Sequence, residues 1–518
     1  MKNSKVIYAL KLVFPIVILG TLTGAVTGAS VTLYRFIAHE VIALSQNAYA
    51  FMQEKPYLLF LVLPALLAFA FLLGAVYKKM PTLKGGGISG AMGLVGGFFT
   101  FEWLKSLIGT VILSLSNFLI GVPLGNEGPS VQIGASIGKA ASTAFGKKGE
   151  VWSRYSIAGG SCSGFAAATG APMTGVIFAV EEMHRRLSPM ILLISIVSVA
   201  ACRLVVEMLC PVLGLSVGLF PAMELISLRA SQMWVPLGIG LAIGIFSLGF
   251  LYAFKGISHL SSKVLSRVKD AYKIFAVFAL TVALGLCSYS FVSTGHELVG
   301  ELLTPHGFSF VLLLLLLARS FLTLSANANG LTGGMFLPTL AVSAVAASLI
   351  AHALIAMGAI GGEYYTLIVV LGIVSGMSGI MSMPFTAILF SLEVLGCANN
   401  LLAVFVAVGA AYLPVVLFRA ESINEIALEK RIETERQGKT PVDAEYNVVI
   451  GKGAFAIGKE VRDIFWPAGL FVRSVTPAPN RSRSAKGLLQ EGDVLCVCYR
   501  SYDEEITKKE LFAIVGEQ

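Results

Sequence analysis

Charge is scarce in this sequence. Asp, Glu, Lys and Arg make up 13% of 518 residues, whereas soluble domains carry about 25%. Hydrophobic residues reach 56%, which excludes an ordinary soluble protein. One oversized core does not explain the excess, because cores stop growing near about 250–300 residues. Histidine is sparse too, with six scattered residues and no ligand set. His39-Glu40 and His296-Glu297 open an H-E-x-x pattern that no second histidine closes, and Ser, His and Asp are too dispersed for a triad. Neither an intramembrane enzyme nor a resident cofactor is expected. The seven cysteines are odd in number and lie mostly in apolar stretches, so no disulfide framework is implied. Cys496-Val497-Cys498 puts two thiols on one strand face but lacks a second ligand pair, so no metal is expected. No T-V-G-Y-G filter occurs, which argues against a potassium pathway.

The formal charge of +8 invites a nucleic-acid reading until it is located. Residues 429–518 hold 14 basic and 14 acidic residues, so this stretch is neutral and the whole surplus lies in 1–428. The break predicts a polytopic membrane domain over 1–428 and a small soluble domain over 429–518, with no nucleic-acid partner. A membrane-crossing helix needs about 20 mainly apolar residues. Spans are expected near 9–34, 57–77, 99–122, 188–214, 233–256, 272–295, 307–325, 334–357 and 400–418. The N-terminus imitates a signal peptide, but the many spans that follow favour a retained first helix.

Other apolar stretches are interrupted by Gly, Pro, Ser or a carboxylate: 85–98, 125–143, 160–183, 330–340 and 372–396. Irregular backbone at membrane depth survives only inside protein or beside a wet cavity, so function is expected at the interruptions. Basic residues gather in short loops: Lys78, Lys79 and Lys84; Lys147, Lys148 and Arg154; His184, Arg185 and Arg186; Lys263, Arg267 and Lys269. These loops, and with them the tail and both termini, are expected on the cytoplasmic side.

Two interruptions repeat. Gly125-Asn126-Glu127-Gly128-Pro129-Ser130 matches Gly334-Met335-Phe336-Leu337-Pro338-Thr339 as G-x-x-x-P-[ST]. Pro172-Met173-Thr174, Phe178 and Glu181 match Pro384-Phe385-Thr386, Phe390 and Glu393, and Ser163-Gly164 matches Ser378-Gly379. The nearly constant offset argues for duplicated halves, a pointer to a midplane site in transporters. A Gly-rich turn with Pro at the first helical position aims unpaired N–H groups along the helix axis. Four such helix starts converging would hold a small anion without fixed positive side chains. The alternative is that Gly and Pro only permit close packing and kinks.

At these residues the sequence resembles the CLC family of chloride channels and proton-coupled anion exchangers. Gly85-Gly86-Gly87-Ile88-Ser89 resembles the family's G-S-G-I-P, and Gly125 to Pro129 its G-R-E-G-P. Gly334 to Pro338 resembles its G-x-F-x-P segment, and Gly170-Ala171-Pro172 through Glu182 the helix leading to its inner proton-transfer glutamate. The resemblance implies an all-α polytopic membrane protein with two inverted repeats, plus a small α+β cytoplasmic C-terminal domain. It further implies a homodimer in lipid, a multi-pass protein of a bacterial plasma membrane, with chloride or another monovalent anion and protons as its partners. By resemblance Glu127 is the gating glutamate and Glu182 the inner proton-transfer glutamate. Gly86, Gly87, Ile88, Asn126, Gly128, Met335 and Phe336 would line the anion site. Proton-coupled chloride exchange is the expected activity, with a passive chloride channel as the alternative. Glu181 and Glu393, as matched repeat positions, are expected to pack or cap.

Three departures qualify the match. Gly86 replaces the family's central serine, Asn126 replaces its arginine, and its inner tyrosine has no counterpart in 419–428. Asn126 resembles the fluoride-exporting branch, which makes a fluoride/proton antiporter the second alternative, although Gly86 does not fit that branch. In the tail, strands are expected at Tyr446–Ile450, Leu470–Val475, Val494–Tyr499 and Leu511–Val515, with a helix-like step at 458–465. This pattern resembles the TrkA-C domain of potassium-conductance regulators and implies a dimerising module that binds a small regulatory ligand. Arg481-Ser482-Arg483 is a candidate phosphate contact, and a solvated loop is the alternative.

Overall fold

The computed structural model describes residues 2–146, 151–184, 188–221, 223, 225–305, 307–436, 438–479 and 487–516. Lys147, Lys148, Arg185, Arg186 and the Arg481-Ser482-Arg483 segment lie outside these residues. The first half comprises α1 (Lys2–Glu54), α2 (Leu59–Lys79), α3 (Gly87–Gly96), α4 (Trp103–Ile120), α5 (Glu127–Ala144), α6 (Ser153–Thr169), α7 (Pro172–Phe178) and α8 (Pro189–Val212). The second comprises α9 (Trp234–His259), α10 (Asp270–Cys287), α11 (His296–Leu302), α12 (Val311–Ala328), α13 (Phe336–Ala356), α14 (Tyr365–Met381), α15 (Pro384–Glu393) and α16 (Leu401–Leu417). The helix α17 (Ile423–Arg436) then leads into the tail.

Ten helices among the described residues are long and apolar enough to cross a membrane, one more than the nine expected spans. The addition is the Gly362–Met381 stretch, most of which is buried inside the protein. Its C-terminal part had looked like a broken stretch because it is rich in Gly and Ser. Those small residues are what let it pack: a Cβ at Gly372 would lie 2.1 Å from the Ala347 Cβ, and one at Gly376 1.9 Å from the Ser343 Oγ. The same device joins α5 to α6, where a Cβ at Gly134 would lie 2.0 Å from the Gly160 carbonyl oxygen and one at Gly160 2.1 Å from that of Gly134. On α1, Gly24 and Gly28 do this against the backbone of Ser198 and Cys202 on α8. Backbones in such contact hold the helix starts of the first half in fixed positions.

The repeat is real in three dimensions. The pairs α5/α13, α6/α14 and α7/α15 begin 209, 212 and 212 residues apart. Each half also caps a helix of the other. The Glu393 carboxylate accepts from the Met173 and Thr174 N–H groups at 2.8 and 2.7 Å and from the Thr174 hydroxyl at 2.6 Å. The Glu181 carboxylate accepts from Phe385, Thr386 and the Thr386 hydroxyl at 3.0, 2.7 and 2.6 Å. A carboxylate at a helix N-terminus satisfies orphan donors and complements the dipole. These two glutamates cap, as their matched positions suggested.

The tail forms a three-stranded antiparallel sheet in the order β1 (Val442–Val449), β3 (Val494–Ser501), β2 (Leu470–Thr476). The expected fourth strand at 511–515 is instead the end of α18 (Glu504–Val515). Asp503 caps that helix by accepting from the Ile506 N–H at 3.3 Å, acidic Glu504 and Glu505 fill its first turn, and Thr507, Leu511 and Ile514 are buried at helical spacing. A short apolar run alone had hidden that period. The helix-like step at 458–465 shrinks to one tight turn, Val461–Asp463. The division at 428/429 falls inside α17, and the first strand begins at Val442.

The tail is docked against the membrane domain at the start of α6. Arg154 donates to the Trp466 carbonyl at 2.7 Å and pairs with Glu510, while the Tyr155 hydroxyl donates to the Asp463 carbonyl at 2.7 Å. Trp152, Tyr155, Phe455 and Phe465 pack edge-to-face or tilted against one another around these bonds. Lys459 is buried there with its ammonium over the Phe455 ring, and burial pushes its pKa down from the ordinary 10.5 to about 8. The folded state therefore resists a proton that the unfolded chain keeps until about pH 10.5. That cost is full below pH 8 and is relieved as pH rises from 8 to 10.5. Tail stability is expected to climb over this window by up to about 1.4 kcal/mol per pH unit. Thermal unfolding of the detergent-purified protein at pH 8, 9 and 10 tests this, and Lys459→Met should flatten the slope.

Candidate anion site

Three helix starts meet at one point. Gly125 and Gly334 exchange both backbone hydrogen bonds at 2.7 Å, an isolated antiparallel bridge that ties the two G-x-x-x-P motifs together. A Cβ at Gly128 would lie 2.5 Å from the Gly334 Cα, and one at Gly87 1.8 Å from the Gly128 carbonyl oxygen. Only glycine allows α3, α5 and α13 to approach this closely. In each helix the first intrahelical bond is made by the fourth residue: Gly90 to Gly86, Ser130 to Asn126, Thr339 to Met335. The N–H groups of Gly87 and Ile88, Glu127 and Gly128, and Phe336 and Leu337 precede those bonds and have no acceptor within their own helix. Pro129 and Pro338 occupy the third helical position rather than the expected first, again where an N–H would be unused.

The structure thus brings together Gly86, Gly87, Ile88, Asn126, Glu127, Gly128, Met335 and Phe336, all drawn from the interrupted segments. Glu127 is fully buried, and neither carboxylate oxygen has a hydrogen-bond partner among the described residues. The carboxylate lies against Gly125, where a Cβ would be 2.4 Å from Oε2. The buried Asn126 side-chain oxygen is likewise unpartnered among those residues. Arg35 on α1 is mostly buried, donating to the Ala167 and Ser216 carbonyls at 2.9 and 3.0 Å, and its charge attracts Glu127. Phe336 seats its ring against Phe165 and Phe390, which positions its backbone.

Glu182 is separate from this junction. A wide helical turn, Ala179–His184, follows α7 and sends the two neighbouring acids different ways. Glu181 reaches the start of α15, whereas Glu182 is 1% exposed and accepts from the Asn424 amide at 2.9 Å. Asn424 lies in the first turn of α17, in the region where the inner tyrosine was missed. Ser422 and Glu425 bracket it in a reciprocal capping box, with Ser422 N–H to Glu425 at 2.6 Å and Glu425 N–H to the Ser422 hydroxyl at 3.2 Å. Sequence reading did not single out Asn424, although S-x-x-E before a helical stretch was a visible signal.

On the tail side of Gly86 a cavity of about 460 Å³ opens, lined by Lys84, Asn327, Lys430 and Arg431 among others. Lys84 pairs with Asp270 at 3.3 Å, and Lys430 reaches the Ser258 hydroxyl and the Ala328 carbonyl. The basic loops at 78–84 and 263–269 therefore share a side with α17 and the tail. In the sheet, Glu445 joins Cys496 and Cys498, their ligand atoms lying within 4.8 Å of one another, a third donor that spacing alone did not reveal. Arg473 already engages both oxygens of that carboxylate at 3.2 Å.

Comparison with known proteins agrees with this geometry. The fold is similar to that of a slow cyanobacterial Cl⁻/H⁺ antiporter, at 20% identity and a TM-score of 0.72, over 82% of this chain and 99% of that one. It is similar to a eukaryotic CLC transporter at 18% identity and 0.64, over 80% and 74%. A CLC-type fluoride/proton antiporter matches at 20% identity and 0.62, over 77% and 95%. Residues 68–415 match the voltage gated chloride channel family, and over that majority of its length the chain belongs to it.

Proposed function

We propose that this protein exchanges chloride for protons across a membrane. The observation that carries the reading is Glu127: a fully buried carboxylate placed where three helix N-termini meet, facing the Glu127 and Leu337 N–H groups. Groups that stabilise an anion also stabilise a carboxylate, so the two compete for one place. Protonation removes the competitor, and anion and proton then move in alternation. Glu182, buried behind Asn424, supplies the second proton stop on the tail side. Isolated ionisable groups inside a membrane domain are costly and are functional candidates by default.

The protein works as a homodimer in lipid, each subunit with its own pathway. Basic loops on the tail side support a reading in which that side and both termini face the cytoplasm of a bacterial cell. The tail is a regulatory module of TrkA-C type, docked through Arg154 and Tyr155 onto the helix that packs against α5, and a small ligand acts through it. Fluoride/proton antiport is the second reading, favoured by Asn126 beside Glu127.

Flux through the full-length protein in liposomes tests these readings. A chloride gradient is expected to drive protons in the opposite direction, with nitrate carried and fluoride not preferred. Chloride flux without driven protons would leave a passive channel. Fluoride exceeding chloride more than about tenfold, over 1.4 kcal/mol of preference, would establish the second reading.

A further inference from the structure

Residue 86, just before α3, is glycine and offers an anion no hydroxyl, while the Ser89 hydroxyl in the first turn donates to the Gly86 carbonyl at 3.0 Å. The Gly86 backbone is ordinary, with φ −73° and ψ 139°, so no conformational demand explains the glycine. What stands beside it comes from the other half of the molecule. Asn327, in the last turn of α12, is 7% exposed, and its side-chain Nδ2 has no hydrogen-bond partner among the described residues. A Cβ built on Gly86 would lie 3.8 Å from that nitrogen. The amide therefore borders the space that a side chain at 86 would occupy. A buried N–H₂ without an acceptor is unfavourable unless something visits it.

The approach to this point is basic. Asn327 lines the tail-side cavity together with Lys84, Lys273, Lys430 and Arg431, and the acids of the same lining are Asp270 and Glu435. A cleft lined by one predominant charge raises the local concentration of counter-ions. Next to Gly86, however, the lining includes the neutral Asn327 amide and the Ser89 hydroxyl, which is already engaged with the Gly86 carbonyl. Such a donor set strips a monovalent anion of water without trapping it behind a fixed charge.

We propose that the Asn327 amide is the anion's side-chain donor on the inner side of Gly86, replacing across the repeat interface the hydroxyl that the chain lacks. This assignment rests on the anion-pathway reading above. It makes Asn327 a residue that sets anion affinity and selectivity, contributed by α12 rather than by the helix whose start it completes.

The test is chloride binding by calorimetry on detergent-purified full-length protein, paired with flux in liposomes. Asn327→Ala is expected to weaken chloride binding by about 10- to 100-fold, the loss of one hydrogen bond to a charged partner. Asn327→Leu, which keeps the volume, should do the same, whereas Asn327→Ser should retain most of the affinity. Adding Gly86→Ser to Asn327→Ala should restore binding, because the position accepts a Cβ at ordinary contact distances. Wild-type affinity and wild-type chloride-to-nitrate preference in both the Ala and the Leu variants would overturn the assignment while leaving the pathway intact. A wild-type protein that binds no anion would overturn the pathway reading and this assignment with it.

Discussion

Glu127→Gln is expected to reduce anion-driven proton movement to background while anion flux continues and loses its dependence on pH. Glutamine has the size of glutamate, so the close fit against Gly125 survives. What disappears is the ability to alternate between a charged group that competes for the N–H groups and a neutral one that does not. The neutral amide cannot deliver a proton, and it leaves the anion without its internal rival. Proteoliposomes read both quantities at once, with an ion electrode for the anion and a pH dye for the proton. A Gln variant that still drives protons at the wild-type ratio would show that the carrier is some other group. Because both carboxylate oxygens lack partners among the described residues, little structural change is expected, and the melting temperature provides the control.

Glu182→Gln should separate the two ions in another way. Glu182 lies on the Ala179–His184 turn, outside the three helix starts, and accepts from Asn424, so anion movement and its pH dependence should persist. Proton movement should fall to background, since protons arriving at Glu127 from the tail side lose their relay. Asn424→Ala is the graded companion: it leaves the carboxylate but removes a hydrogen bond of 2.9 Å, and a partial loss of coupling is expected. Measured together, the three variants divide the pathway into a shared outer segment and a proton-only inner branch. Equal loss of anion flux in Glu127→Gln and Glu182→Gln would argue against that division.

Much of this was readable from the chain because the site is made of backbone. Helix starts that must approach within van der Waals contact demand glycine, and unused N–H positions tolerate proline, so G-x-x-x-P written twice revealed both site and repeat. Side chains that reach the site from distant segments left no such mark. Asn424, Asn327, Lys430 and Arg431 lie beyond or at the end of apolar runs, where polar residues are common and have many uses. The Gly362–Met381 helix was hidden for a related reason: the Gly and Ser residues that let it pack inside the protein read as interruptions of an apolar stretch. In the tail, strand alternation located β1, β2 and β3, but the five apolar residues 511–515 could not distinguish a strand from the end of a capped helix.

The crossed caps of Glu181 and Glu393 carry a consequence for how the protein is made. When α7 leaves the ribosome, the carboxylate that will cap it is still 220 residues from being synthesised. At about 5–20 residues per second, that delay lasts about 10 to 45 seconds. During this interval the first half sits in the bilayer with exposed donors at a helix start, and no sequence of its own can satisfy them. Insertion is therefore sequential, but completion is joint: the first half becomes fully hydrogen-bonded only when the second arrives, and a chain cut between them leaves two incomplete products rather than one finished half.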